Sequence, residues 1–142
     1  MLYDAAEDPA TLTPTALREA YETRLREVVT DRGIDTVAAE SGVDVDDLEA
    51  LVEGPVPDFS VTDAAAVLAL DDERDAETIV LELRDHLLLA MTTGVVDVDT
   101  LASNVDLDRS GQELQQAIEG RSEMTLEVLA AIRQFLAARN DR

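Results

Sequence analysis

The chain of 142 residues contains no cysteine, no tryptophan and no lysine. Without cysteine there is neither a disulfide framework nor a thiolate metal site. With only two Phe and two Tyr, the core must be built from Ala, Val and Leu, small side chains that suit close helix–helix contact. Long apolar runs are also missing. Stretches such as residues 87–91 fall far short of the roughly 20 residues a membrane-spanning helix needs. Residues 1–10 are acidic and lack the basic start and apolar stretch of a secretory signal. The expectation is a cytoplasmic protein with no membrane contact.

What is abundant is carboxylate. Acidic residues number 32 against 11 basic ones, all of them Arg, for a formal net charge of −21. In dilute buffer such a charge opposes the compact state by self-repulsion. At about 1 M salt the Debye length falls to about 3 Å and the repulsion largely disappears. The composition therefore predicts a protein made for a very salty cell interior. Apolar residues make up 46% of the chain, enough for a real core and too many for a disordered segment.

The few Gly and Pro residues act as punctuation. After an acidic lead-in over residues 1–12, a helix is expected to start at Thr13, with Pro14 at its first position. Leu17, Tyr21, Leu25 and Val28 give it one apolar stripe, and Gly33 ends it. Asp35 is the expected cap of a short helix over 36–41, broken by Gly42. Asp44 caps a helix over 45–53, stopped by Gly54, and Pro55 and Pro57 hold an extended link. Ser60, with Asp63 as an acidic form of the capping box, opens a helix over 61–70. A polar turn, 71–75, precedes a long helix over 76–93 with Ile79, Leu83, Leu87 and Ala90 on its buried side. Asp99 is then expected to cap a short helix, followed by helices near 111–119 and from Thr125 to about 139. No strand pattern survives.

Two stretches look alike. Ile34-Asp35-Thr36-Val37-Ala38, Val43-Asp44, Leu51-Val52-Glu53-Gly54 and Phe59-Ser60-Val61 match Val98-Asp99-Thr100-Leu101-Ala102, Val105-Asp106, Ala117-Ile118-Glu119-Gly120 and Met124-Thr125-Leu126. Each follows a longer amphipathic helix. The pattern predicts duplication of a small helical unit, over 13–71 and 75–139, with the halves packed as one domain through the two long helices. Two copies are too few for a solenoid.

Each copy resembles the helix-turn-helix of phage-repressor-like regulators. Ala38-Ala39-Glu40-Ser41-Gly42-Val43 and Val52-Glu53-Gly54 carry the likeness in the first copy. Asn104-Val105 and Ile118-Glu119-Gly120 carry it more loosely in the second, where the turn Gly is missing. The whole chain is also similar to a small family of uncharacterised acidic proteins of halophilic archaea. That likeness rests on Asp85-His86-Leu87-Leu88-Leu89-Ala90-Met91-Thr92-Thr93, Asp97-Val98-Asp99-Thr100-Leu101-Ala102, Ile118-Glu119-Gly120-Arg121 and Met124-Thr125-Leu126. It implies an origin and a helical fold, and no activity.

The resemblance raises DNA binding, which leans on Lys and Arg at phosphates and on a helix in the major groove. From residue 33 to residue 73 there are twelve acids and no base, and the helix that would enter the groove presents Asp44, Asp46, Asp47 and Glu49. The first copy is not expected to bind DNA. In the second, Arg109, Gln112, Gln115, Gln116 and Arg121 lie in or beside the corresponding helix, and Gln is an adenine reader. Arg133, Arg139 and Arg142 follow. A solvated Gln-rich face explains the same residues.

Other chemistry is thinly signalled. Asp106-Leu107-Asp108-Arg109-Ser110-Gly111 copies the first half of an EF-hand loop, but Ala117 stands where the bidentate acid belongs; an N-capping turn accounts for it. His86, the single histidine, falls near an apolar stripe with no nucleophile motif beside it. The acids Asp71-Asp72-Glu73 read as solvated charge. No phosphate-binding Gly loop or metalloprotease motif is present. The expectation is an all-α protein of about eight helices, not an enzyme, with no metal and no cofactor. Its role is that of a regulatory binding module for a protein partner or a second copy of itself. DNA contact through the second copy is the alternative.

Overall fold

A computed structural model of the protein describes residues 8–140. It contains α1 (Pro14–Arg32), α2 (Ile34–Ser41), α3 (Val45–Glu53), α4 (Val61–Leu68), α5 (Ala76–Gly94), α6 (Val98–Asn104), α7 (Gly111–Ile118) and α8 (Leu126–Asn140), with 3-10 turns at Pro9–Thr11 and Ala69–Asp71. The described residues are all-α, and their one β-type contact is an isolated bridge between Ser60 and Thr125. Residues 1–7 of the acidic lead-in and Arg142 lie outside the described residues; the remainder of the lead-in includes the first 3-10 turn, which rests on α8.

Several helix starts follow from side-chain caps. The Thr13 hydroxyl accepts the Ala16 N–H at 3.1 Å, and Pro14 gives up an N–H that has no partner in a first turn anyway. Asp44 accepts from Asp46 N–H at 3.0 Å, and Ser60 from Asp63 N–H at 3.0 Å. Ser60 and Asp63 thus form one half of the expected box; Ser110 and Glu113 complete both halves at the start of α7. α4 stops at Leu68, two residues before the expected end, and tightens into the second 3-10 turn.

Two expected caps are displaced. A single residue, Gly33, separates α1 from α2 and serves both ends: its N–H donates to Val29 O at 2.8 Å, and its carbonyl accepts from Val37 at 3.0 Å. Its φ of 90° is open to Gly at little steric cost. Asp35 is thereby moved into the first turn of α2, where the helix dipole still favours it. Asp97, not Asp99, caps α6 and accepts from Thr100 N–H at 2.8 Å. The Asp97-Val98-Asp99 step offers two carboxylates in tandem, and the chain uses the earlier one. Between α5 and Asp97, Val95 takes a left-handed conformation with φ 54°.

The stripe Leu17, Tyr21, Leu25 and Val28 is wholly buried. On α5 the buried side is Ile79, Leu83, Leu87 and Met91; Ala90 is only half-buried. The two long helices are not each other's main partners. α1 packs on α8 and α5 packs on α4, while α1–α4 and α5–α8 contacts close a ring of four helices. The α2–α3 pair sits against α1 and α4, and the α6–α7 pair is tied to α8 through α6. One hydrophobic cluster runs through all eight helices. α8 is buried on nearly every side, through Leu126, Val128, Leu129, Ala130, Ala131, Ile132 and Leu136, as befits a helix at the centre of a core.

Candidate functional site

On α7, Leu114, Ala117 and Ile118 turn into the core, so helical geometry places Gln112, Gln115 and Gln116 together on the outer face, all exposed. Arg109 lies exposed just before the helix and Arg121 exposed just after it. The sequence's five candidate contacts therefore all lie exposed in or beside α7, but they are not all available. Gln115 Nε2 donates to Glu119 Oε1 at 3.0 Å, and Arg121 pairs with the other oxygen of Glu119 at 3.4 Å. Glu113 is also on this helix. Its carboxyl is held below its ordinary range mainly by the Ser110 backbone N–H, with a weaker contribution from Arg109.

The corresponding helix of the first stretch, α3, is far more acidic. Leu48 and Leu51 are buried, and Asp46, Asp47, Glu49 and Glu53 stand exposed around Val45 and Val52. A phosphate backbone meets only repulsion there.

The arginines are mostly spent within the chain. Arg26 donates to Leu51 O at 2.6 Å and Gly54 O at 2.7 Å, closing the carboxyl end of α3. Arg32 binds Asp71 at 2.7 Å and the Leu70 carbonyl at 2.5 Å. Arg74 holds Asp72 at 3.0 Å and Glu82 at 2.6 Å, and its hydrogen bonds keep the Asp72 carboxyl down at about 2. Asp71 and Asp72 are thus ion-paired rather than simply solvated. Arg139, expected beside the DNA-facing residues, donates to Gly94 O at 2.6 Å and closes the end of α5. Among the described residues Arg84 and Arg109 make no hydrogen bond or ion pair.

A feature the sequence reading missed is the outer side of α5. Leu81 and Leu88 are each 49% exposed and Leu89 is 64% exposed. Residues seven apart lie two turns along the same helix face, so Leu81 and Leu88 align, with Leu89 beside them. The signal was present in Leu87-Leu88-Leu89, where three consecutive leucines cannot all enter the core from one helix.

His86 is half-buried on the same helix. No group of three or more His, Asp or Glu side chains is arranged to hold a metal among the described residues. Among the described residues no helix is long and apolar enough to cross a membrane. No curated protein and no solved structure matches the chain. A family model does match, over residues 17–139, which run from the first turn of α1 to the last turn of α8. The chain belongs to the family of unknown function DUF5791.

Proposed function

We propose that the protein is a non-catalytic binding module that works by contact with another protein chain, a second copy of itself being the first partner to test. The observation that carries this reading is the cluster of exposed leucines on α5, Leu81, Leu88 and Leu89. Single exposed apolar residues are ordinary, whereas aligned ones on a helix face mark a surface that is covered in use. The net charge of −21 and the exclusive use of Arg support work in a salt-rich cytoplasm of a halophilic archaeon, where screening lets acidic surfaces approach.

Size exclusion with light scattering in molar KCl tests the reading. Association by the wild type that is abolished in Leu88→Gln/Leu89→Gln supports it. So does a protein retained from native extract by the wild type and not by that variant. Identical behaviour of the two proteins in both experiments removes the proposal.

The helix-turn-helix descent of the two stretches is part of the same reading. The order long helix, two short helices, capped helix occurs twice, and the caps of the fourth and eighth helices pair with each other. These features support duplication of a repressor-like unit whose first copy has been turned away from DNA by its acids. A second reading, DNA contact through α7, draws on the exposed Gln112 and Gln116 and on Arg109, which makes no hydrogen bond or ion pair among the described residues. Duplex binding lost on Arg109→Ala/Gln112→Ala, with a salt slope of a few phosphates, would favour it.

A further inference from the structure

The two arginines that face the carboxyl ends of α3 and α7 are used differently. Arg26, from α1, spends its guanidinium on the carbonyls of Leu51 and Gly54. Arg84, from α5, lays its guanidinium over Gly120, the glycine that follows α7 as Gly54 follows α3. Gly120 has a φ of 81°, and a Cβ there would overlap the guanidinium. Yet among the described residues Arg84 has no hydrogen bond and no ion pair. In a chain with 32 acidic residues, a half-buried arginine without a carboxylate is conspicuous, because its five donors suit a planar anion.

Arg84 stands at a cavity of about 250 Å³ between α4, α5 and the turn after α7. Val80, Leu83, Leu87 and Met124 supply apolar lining, while Arg121 and Ser122 add polar groups. Glu123 also lines the cavity, and its charge disfavours a multiply charged guest. The volume lies just below the usual range for small-molecule sites, about 300–1,000 Å³, so the space suits a short group. We infer that this cavity binds a carboxylate carried on a short aliphatic stem, the carboxylate on Arg84 and the stem against the leucines and Met124. A free branched-chain acid and the end of a peptide present the same group. The inference stands apart from the leucine face of α5 and does not depend on it.

The test is a titration followed by the amide signals of Gly120, Arg121 and Ser122 and the side-chain Nε signal of Arg84, in molar KCl. Isovalerate and a short acetylated peptide ending in leucine are compared with isovaleramide and the same peptide as its amide. Saturable shifts are expected with an acid, about tenfold weaker with its amide and about tenfold weaker in Arg84→Gln. Saturation by the peptide alone assigns the site to a chain end; saturation by isovalerate assigns it to free acids. Arg84→Lys, which keeps the charge and loses the planar fork, is expected to fall between the wild type and Arg84→Gln. It serves as the second variant if Arg84→Gln unfolds. Four outcomes overturn the inference: no saturable shift with either acid, equal binding of acid and amide, undiminished binding in both variants, or tighter saturation by inorganic phosphate.

Discussion

Ser60 and Thr125 face each other across the start of α4 and α8, in a bridge made of two reciprocal hydrogen bonds. The Val61 N–H donates to Met124 O at 2.8 Å and the Leu126 N–H donates to Phe59 O at 2.9 Å. Each hydroxyl also caps its own helix, Ser60 at 3.0 Å and Thr125 at 3.3 Å. Ser60→Ala is expected to cost about 1 kcal/mol, and Thr125→Ala less, because its bond is longer. Urea unfolding at fixed salt measures both, and a larger loss for Thr125→Ala contradicts the cap geometry.

Glu22 is the one charged residue in the described core. One carboxylate oxygen accepts the Val56 N–H at 2.5 Å, tying α1 to the link between α3 and α4. The other sits 3.5 Å from Arg18 without hydrogen-bond geometry. Glu22→Ala leaves a part-buried N–H and a mostly buried guanidinium without this partner and is expected to cost about 3 kcal/mol. Glu22→Gln keeps an acceptor for Val56 and is expected to cost about 1 kcal/mol. Equal losses would show that Val56 is not the contact that matters.

Val95 carries a left-handed backbone on a β-branched side chain that is 84% exposed. The conformation is strained for Val and tolerable for Asn. Val95→Asn removes little packing and is expected to raise stability by about 1 kcal/mol. A thermal melt that does not move upward refutes the strain.

Acid should weaken the turn between α4 and α5. Hydrogen bonds to Arg74 lower the Asp72 carboxyl from its ordinary 3.8 to about 2. The caps Asp75 and Asp97 are lowered by the backbone N–H groups of Thr78 and Thr100. A depressed folded-state value means that the stabilisation is complete above the unfolded-state value. It is lost as pH falls from about 4 towards 2. In molar KCl, Asp72→Asn is expected to flatten the loss of stability over that window. An unchanged acid limb excludes the Arg74–Asp72 pair as a contributor.

Salt should act in the other direction from its effect on an ordinary ion-paired surface. With a net charge of −21, screening removes more repulsion than attraction. The melting midpoint is expected to rise steadily between roughly 0.2 M and 2 M KCl. A flat or falling midpoint would show that the arginine ion pairs outweigh the excess of acids.

Much of the fold was legible because local signals agree with one another. Pro14, Asp44, Ser60 and Ser110 mark helix starts through chemistry confined to a few residues, and Gly33, Gly42 and Gly120 mark ends. Asp35 and Asp99 misled because each is one of two residues able to serve the same helix end. Which of them does so depends on how closely the preceding helix approaches. Helix partners were harder to read: an apolar stripe shows that a helix is buried but not against what, so α1 with α8 and α5 with α4 could not be read from periodicity. At the candidate site, the exposure of Gln112, Gln115 and Gln116 followed from the α7 pattern. The capture of Gln115 and Arg121 by Glu119 depended on rotamers, and the cavity lined by Arg84 on a tertiary approach to Gly120.

The pairing of α1 with α8 also sets the order in which the chain can finish folding. The apolar stripe of α1 leaves the ribosome before α8 does, yet α8 is the helix with which α1 makes its largest contact. Contacts between α1 and α8 join segments far apart in sequence and so raise the contact order, which slows the search for the native state. Until α8 is made, the part of the α1 stripe that it covers stays open, while α2, α3 and α4 can already pack against the rest. An apolar stripe left open in this way is where a nascent chain is most prone to stick to its neighbours.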